Sequence, residues 1–321
     1  MTMKKLSLLL VVLVGVVTQA FAQQRPQYSQ YMVNNFLLNP ALSGIEDYAD
    51  IRISNRQQWV GLDGAPVTYY ASAHMPLNKG ATSTKYAKAL AHHGAGIILH
   101  TDKTGPLRRT GLSGSYAYHL PVTRTINVSA GVAAGLVRNT INSSELEFTN
   151  PAEPLIGGGR VNQNVLDLSL GLWVYSRNFS VGLAGAQLLE NAGTFRSAED
   201  NNVSLDLQRH YFLTGSYRFA PGGRIDLIPS VMFKLAAPSP LSVDVNLRAL
   251  YDERFWVGAS YRHNDAIVGM VGVYVSPLID ISYSYDATTS GLNRVSAGTH
   301  EVVVGFKLLN DRRIICPQWV W

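Results

Sequence analysis

Strict alternation of apolar and polar side chains over long segments is the feature that most constrains this chain. A clear example is residues 241–249, where Leu241, Val243, Val245 and Leu247 alternate with Ser242, Asp244, Asn246 and Arg248. Successive side chains of a β-strand point to opposite faces, so each such segment has one apolar face and one polar or small face. The alternation predicts an all-β fold.

Fourteen segments of the sequence have this strand character. They are residues 51–60, 67–77, 94–102, 108–120, 124–138, 165–177, 178–188, 207–219, 224–236, 241–249, 254–263, 266–275, 278–287 and 299–308. Strands of soluble proteins centre on about five or six residues, whereas membrane-spanning strands need about 9–11. The lengths favour a membrane barrel, although a soluble all-β fold would alternate as well.

The start of the chain and its composition support export and membrane insertion. Lys4 and Lys5 precede an apolar run over 6–17 and the sequence Ala-Phe-Ala over 20–22, a pattern typical of a cleaved signal peptide. That run is too short for a transmembrane helix, which needs about 20 residues. Charged residues make up only 15% of the chain, against about 25% in soluble domains. Tyrosine and glycine are abundant, as in transmembrane barrels with aromatic girdles.

We therefore predict a transmembrane antiparallel β-barrel of about 14 strands in the outer membrane, with a plug-like N-terminal segment. The predicted divisions are a signal peptide over 1–22, the N-terminal segment over 23–47, the barrel over 48–309 and a periplasmic tail over 310–321. The connections 139–164 and 189–206 are expected outside the cell. The connection 78–93 is either a periplasmic docking element or a loop insertion.

The polar face of such a barrel points into the lumen. It carries Arg52, Arg56, His74, Asp167, Arg218, Asp226, Lys234, Asp244, Arg248, Arg262, Asp280, Asp286 and Lys307. An ion-selective pore would carry charges of one sign at its constriction. Charges of mixed sign instead suggest pairing with one another or with a plug, because unpaired charges away from water are costly.

Two terminal segments are candidates for contacts with the barrel. We expect residues 23–47 to fold into or against the periplasmic mouth, with Tyr28, Tyr31, Phe36 and Leu37 packed on the barrel; a flexible tail is the alternative. The tail 310–321 is either a partner-binding peptide or a segment on the rim with its tryptophans at the membrane interface. Its Cys316, the only cysteine, is expected to be a free thiol or an intermolecular bridge.

The sequence shows no catalytic, metal or nucleic-acid signature. His100 and Asp102 share a face of one predicted strand, but the histidines at 100, 210, 263 and 300 fall on different predicted strands without the adjacent nucleophile and orienting carboxylate that a hydrolase needs. The pair at 92–93, interpreted as lying in a loop, has no carboxylate or cysteine at ligand spacing. The net charge of +5 is scattered, which argues against nucleic acid. No enzyme activity and no cofactor are expected.

Residues 28–59 lead from the predicted signal peptide into the first strand. This stretch resembles the opening of the PorP/SprF family of outer-membrane proteins linked to type IX secretion in Bacteroidetes. The matching positions are Gln27, Ser29, Gln30, Tyr31, Asn39, Pro40, Ala41, Gly44, Arg56, Gln57, Gln58, Trp59 and Pro66. The resemblance beyond them is a general strand pattern.

The resemblance implies a role in type IX secretion and gliding without chemistry. The implied partners are a secreted cargo, such as the C-terminal domain of an adhesin, and periplasmic components linked to peptidoglycan, in addition to outer-membrane lipid. Among the matching positions, Gln30, Tyr31, Asn39, Pro40, Ala41, Gly44, Arg56, Gln57 and Trp59 are either structural or in contact with a partner. The alternative function is that of an outer-membrane porin or hydrophobic-solute transporter.

Overall fold

The structure, a computed structural model, describes residues 26–77, 91–142, 160–189, 194–195, 203–204, 208–236, 239–317 and 319. The predicted signal peptide, most of the connection 78–93 and the centres of the two long predicted loops lie outside the described residues. None of the helices in the described ranges combines the length and apolarity that a bilayer crossing requires.

Within the described ranges, sixteen strands make up nearly all of the regular structure. In chain order they are β1 Ala49–Gln57, β2 Val67–Pro76, β3 His92–Thr104, β4 Leu107–Pro121, β5 Asn127–Asn142, β6 Arg160–Tyr175, β7 Phe179–Ala186, β8 Thr194–Phe195, β9 Val203–Ser204, β10 His210–Tyr217, β11 Ile225–Ala236, β12 Ser242–Tyr251, β13 Phe255–Arg262, β14 Ala266–Tyr274, β15 Ile279–Thr288 and β16 Thr299–Leu308. The short strands β8 and β9 pair only with each other.

The other fourteen strands form one closed antiparallel barrel, as predicted. Each of them pairs with its neighbours in sequence within this set, and β1 pairs over its full length with β16, from Ala49 opposite Leu308 to Gln57 opposite His300. Because β1 begins where β16 ends, we call that end of the barrel the terminal end and the other the opposite end.

The outward face is apolar and ends in two aromatic girdles. Exposed leucine, isoleucine and valine side chains, such as Leu99, Leu172 and Leu247, cover the middle of the wall. Exposed aromatic rings near the terminal end are Tyr116, Tyr118, Tyr217, Phe219, Tyr251 and Phe255, and those near the opposite end are Tyr69, Tyr211, Tyr261 and Tyr285. An apolar band between aromatic girdles is the surface of a membrane barrel.

All thirteen residues predicted to line the lumen lie on the inward face, because they share strand parity with the buried positions. Nine of the barrel's charged side chains are at most 4% exposed: Asp50, Arg52, Arg56, Asp244, Arg262, Asp280, Asp286, Glu301 and Lys307. Asp50 and Glu301 were not predicted from the sequence as lumen residues.

Several predicted strand ends are wrong, and local backbone geometry explains two of them. The first strand stops at Gln57, because Trp59 turns the chain with a positive φ of 49°; Gln187 (φ 57°) likewise follows the end of β7. Residues 139–142 and 160–164, predicted as loop, extend β5 and β6, where Asn139 donates to Gln163. His92 and His93 begin β3 and are not in a loop.

Replacing the outward Leu247 by arginine tests whether this face contacts lipid. Leu247 lies halfway along β12, so Leu247→Arg should destabilise the barrel by about 2–4 kcal/mol, whereas Val122→Arg at the terminal rim should cost about 0–1 kcal/mol. Urea unfolding in lipid vesicles, followed by tryptophan fluorescence, measures both. Equal costs for the two variants would contradict a lipid-facing wall.

Candidate functional site: a filled lumen

Residues 26–48, called here the plug segment, lie inside the barrel. From Tyr28 to Glu46 every residue is buried, and the segment contacts strands on all sides of the wall. It forms three single-turn 3-10 helices, Tyr31–Val33, Asn35–Leu37 and Pro40–Leu42. Asn34 and Asn39 interrupt the helical backbone, and Pro40 starts the last turn at a position where its missing N–H costs nothing. Tyr28, Tyr31, Phe36 and Leu37 are all buried, as the plug hypothesis requires.

Asn39 fixes the middle of the plug segment to the barrel backbone. Its amide nitrogen donates to the carbonyl oxygens of Leu172 (3.0 Å) and Leu183 (3.2 Å), on β6 and β7. Its carbonyl oxygen accepts from the N–H of Ala41 (3.0 Å), which holds the following turn. One side chain thus satisfies both the wall and the plug, which explains the requirement for asparagine at this position.

Glycines on the inner wall make room for this part of the plug. Gly131 on β5 lies opposite Gly171 on β6. A Cβ atom on Gly131 would come within 2.5 Å of the backbone of Pro40 and Ala41, and one on Gly171 within 1.9 Å of Asn39 Oδ1. The Asn39–Pro40–Ala41 motif therefore fits a recess that only glycine can form. These two wall glycines were missed from the sequence because only the fold brings them to the motif.

A second recess receives the turn at Ser43 and Gly44. Gly44 has a φ of 74°, and a Cβ atom on the facing Gly94 would lie 1.8 Å from the Ser43 carbonyl oxygen. Three wall histidines bind the same turn. His119 donates to Ser43 O (2.8 Å), His92 donates to Gly44 O (3.1 Å), and His74 accepts from Gly44 N–H (3.2 Å).

The first residues of the plug segment meet a buried ion cluster. Arg56 contacts Asp286 (Nη2 to Oδ2, 3.0 Å) and Glu301 (Nη1 to Oε2, 3.1 Å). Ser29 donates its backbone N–H to Glu301 Oε2 (2.8 Å), and its hydroxyl lies between Arg56 and Asp286. Gln30 donates to the Glu301 carbonyl oxygen (3.0 Å). The motif residues Ser29, Gln30 and Arg56 thus form one cluster of charges and hydrogen bonds.

Two further clusters neutralise the remaining lumen charges. Arg52 binds Asp50 (2.9 Å) and Asp280 (3.3 Å), and Lys307 lies 3.7 Å from Asp280. In the other, Arg262 binds Asp244 (3.1 Å) and Asp265 (3.1 Å) and approaches Asp286 at 3.7 Å. Near Asp244, Asn246 donates to the hydroxyl of the plug residue Tyr31. The mixed charges predicted for the lumen are therefore largely paired across strands.

The other predicted lumen residues are less buried. Arg218 pairs with Asp226, Arg248 stacks over Trp256 at 5.6 Å, and Asp167 accepts from the backbone of Gln187. Of the matching motif, Gln57 is exposed on the outer face, and Trp59 lies in the β1–β2 turn with its N–H bound to Thr299. These two positions do not contact the plug through any described hydrogen bond.

Part of the C-terminal tail packs into the terminal mouth. Ile315 and Cys316 pack on the hydrophobic cluster that includes Met32 and Val33, and Lys307 donates to the Ile315 carbonyl oxygen. Trp319 meets Tyr175, a lumen residue, edge to face at 5.2 Å. The alternative that places this tryptophan at the membrane interface is therefore wrong, because the side chain packs against a lumen residue. Trp321 lies outside the described residues.

Small spaces remain between the plug segment and the wall. Cavities of about 20–30 Å³ lie beside Tyr31 and Trp173, beside Leu38 and His100, and beneath Cys316. Each has room for about one or two water molecules. Among the described residues, no group of histidine, cysteine or carboxylate side chains has the arrangement of a metal site. The candidate catalytic histidines stay apart, with His300 bound to Tyr283 and His210 to the Gln208 carbonyl oxygen.

Adding a methyl group at Gly131 should displace the plug. Gly131→Ala places its Cβ against backbone atoms that cannot rotate away, so we expect a destabilisation of about 1–3 kcal/mol and faster protease cleavage after Tyr28, Tyr31 or Phe36. Gly114→Ala is the control, since a Cβ there meets nothing within 4 Å. Urea unfolding and timed proteolysis in vesicles measure the two effects. If both variants behave like the parent chain, the recess does not hold the plug.

The Cys316 thiol should react slowly in the folded protein. Burial raises the pKa of Cys316 from 9.0 to about 11, and the thiolate is the reactive form. Alkylation near pH 8 should therefore be about a hundredfold slower than in the unfolded chain, and its rate should rise until about pH 11 and not level off near 9. Iodoacetamide labelling across this pH range, read by mass spectrometry, tests the prediction. Labelling at the unfolded rate would show that the tail does not stay in the mouth.

Comparisons with known proteins identify the family and the fold. Residues 20–306 match the family described as type IX secretion system membrane protein PorP/SprF. Among curated proteins, none matches the chain. The toluene transporter TbuX of Ralstonia pickettii has a similar structure (TM-score 0.52, 12% identity, 87% of this chain and 92% of that chain). A FadL homologue of Pseudomonas aeruginosa aligns with a TM-score of 0.49 at 10% identity, over 88% of this chain and 94% of that one.

At 12% identity, the likeness to TbuX concerns the outer-membrane barrel fold alone. The family match is different in kind, because it covers both the plug segment and almost the whole barrel. It confirms the resemblance carried by the opening residues, and it supports the outer membrane as the location. The chain belongs to the PorP/SprF family of type IX secretion system membrane proteins.

Proposed function

We propose that the protein performs no catalysis and supports the export or surface attachment of a partner protein, such as an adhesin. The observation that carries this proposal is the filled lumen. The plug segment occupies the barrel interior, and its contacts with Glu301, Asn246 and Leu172 fix it to well-separated parts of the wall. A barrel of this kind is suited to present surfaces to other proteins and to anchor them in the membrane.

A porin or hydrophobic-solute transporter is the competing function. The barrel fold that the chain shares with the toluene transporter TbuX is compatible with it. A solute would have to pass the plug segment, whose neighbouring charges Arg56, Asp286 and Glu301 are paired and buried. Opening such a path would separate charges that have no water to replace their partners.

The proposed partners lie on both sides of the membrane. Short turns of outer-membrane barrels face the periplasm, and the terminal end has short turns at 122–126, 176–178, 252–254 and 275–278. We place the peptidoglycan-linked secretion components at this end, where the connection between β2 and β3 serves as a docking element, and the secreted cargo at the opposite end. A role in gliding would follow if the cargo is a motility adhesin.

Conductance of the purified barrel in a planar bilayer separates the two functions. The full chain should give no steady current, whereas deletion of residues 26–45 should give large, steady steps, because fourteen strands enclose space for a channel. Gly131→Leu, which displaces the plug without shortening the chain, serves where the deletion does not fold. Steady currents from the unmodified chain would refute the docking function.

A pull-down from the native outer membrane tests the partner side of the proposal. We expect a secreted protein to co-purify through its C-terminal domain. The barrel in the same preparation should give no steady current in a planar bilayer. A silent barrel that retains neither cargo nor periplasmic components would also count against the proposed function.

A further inference from the structure

We propose that exposed arginines at the terminal end bind the phosphate groups of phospholipid headgroups. These arginines, called here the arginine ring, are Arg124, Arg177, Arg224, Arg254 and Arg313. All five are exposed. Four of them lie singly on the β4–β5, β6–β7, β10–β11 and β12–β13 turns, and the fifth lies on the tail that follows β16.

The arginine ring is free of carboxylate partners within the described part of the chain. The ion pairs there use other arginines, including Arg218 with Asp226 and Arg312 with Asp47. Of the carboxylates exposed at the same end, Glu253 lies 3.5 Å from Arg218. Within the described residues, the ring therefore presents solvent-exposed guanidinium groups that are available to an anionic partner from outside the chain.

The aromatic girdle places two members of the arginine ring, Arg224 and Arg254, at headgroup depth. Tyr251 and Phe255 are exposed on either side of the turn that carries Arg254, and Arg224 donates to the Tyr251 hydroxyl at 3.4 Å. Aromatic rings of a girdle lie at the boundary between hydrocarbon and headgroups. An arginine one or two residues beyond such a ring is level with the lipid phosphates.

The distribution of the arginine ring distinguishes lipid from a protein partner. Its members are spread over turns that follow one another around the barrel, whereas one docked protein would contact a single sector. A guanidinium group also matches phosphate oxygens with two parallel hydrogen bonds. A surrounding shell of phospholipid provides a phosphate at each position.

Native mass spectrometry of the full chain, titrated with phosphatidylglycerol or phosphatidylcholine in detergent, tests the proposal. The parent chain should retain phosphatidylglycerol preferentially. The variant Arg124→Gln, Arg177→Gln, Arg224→Gln, Arg254→Gln should bind it at least about tenfold more weakly, because each cation near an anionic surface contributes to binding. The matched variant with lysine at the same four positions keeps the charge but loses the paired N–H donors of guanidinium, so it should bind more weakly than the parent chain and more tightly than the glutamine variant. Migration of unheated samples on gels verifies that both variants are folded.

Two results would overturn the proposal. One is binding of phosphatidylglycerol by the glutamine variant within about twofold of the parent chain. The other is a glutamine variant that binds lipid as the parent chain does but no longer supports secretion in cells. That result would mean that the arginine ring binds an acidic protein.

Discussion

In the hydrocarbon layer the backbone has no water to bond, and the rest of the structure depends on this constraint. Each peptide group of the wall must find its partner in a neighbouring strand, so the sheet closes where β1 meets β16. Closure divides the residues of every strand between lipid and lumen. The outward face becomes apolar, and the inward face collects the polar groups that the chain retains.

Those inward groups in turn require a filled and neutral interior. Removing one partner of a buried ion pair costs about 3–5 kcal/mol, since the other charge is left uncompensated. Arg56 serves Asp286, Glu301 and Ser29 at once, so the wall and the plug segment share one set of electrostatic contacts. Steric fit also holds the plug segment in place, because Gly94, Gly131 and Gly171 leave recesses that the plug fills. Displacing the plug would therefore expose charges and empty recesses together.

The sequence predicts the barrel well because alternation is a local property. Strand number, the lipid-facing residues and the lumen set all follow from a period of two. Strand ends are less predictable, since β5 and β6 continue through Asn139 and Gln163, polar residues that pair only when the strands are side by side. The match between Gly131 and the Asn39–Pro40–Ala41 motif joins positions about ninety residues apart, and the contact of Trp319 with Tyr175 joins still more distant ones. Neither leaves a periodic signal.

The position of the plug segment along the chain sets an order of assembly. Ser29 and Glu301 are 272 positions apart, so the plug segment binds a strand that is synthesised long after it. Contacts between such distant positions form late in folding. A truncated chain without β15 and β16 would lack both Asp286 and Glu301, and with them the anchor for its own beginning. The plug segment can therefore bind fully only after the last two strands of the barrel have formed.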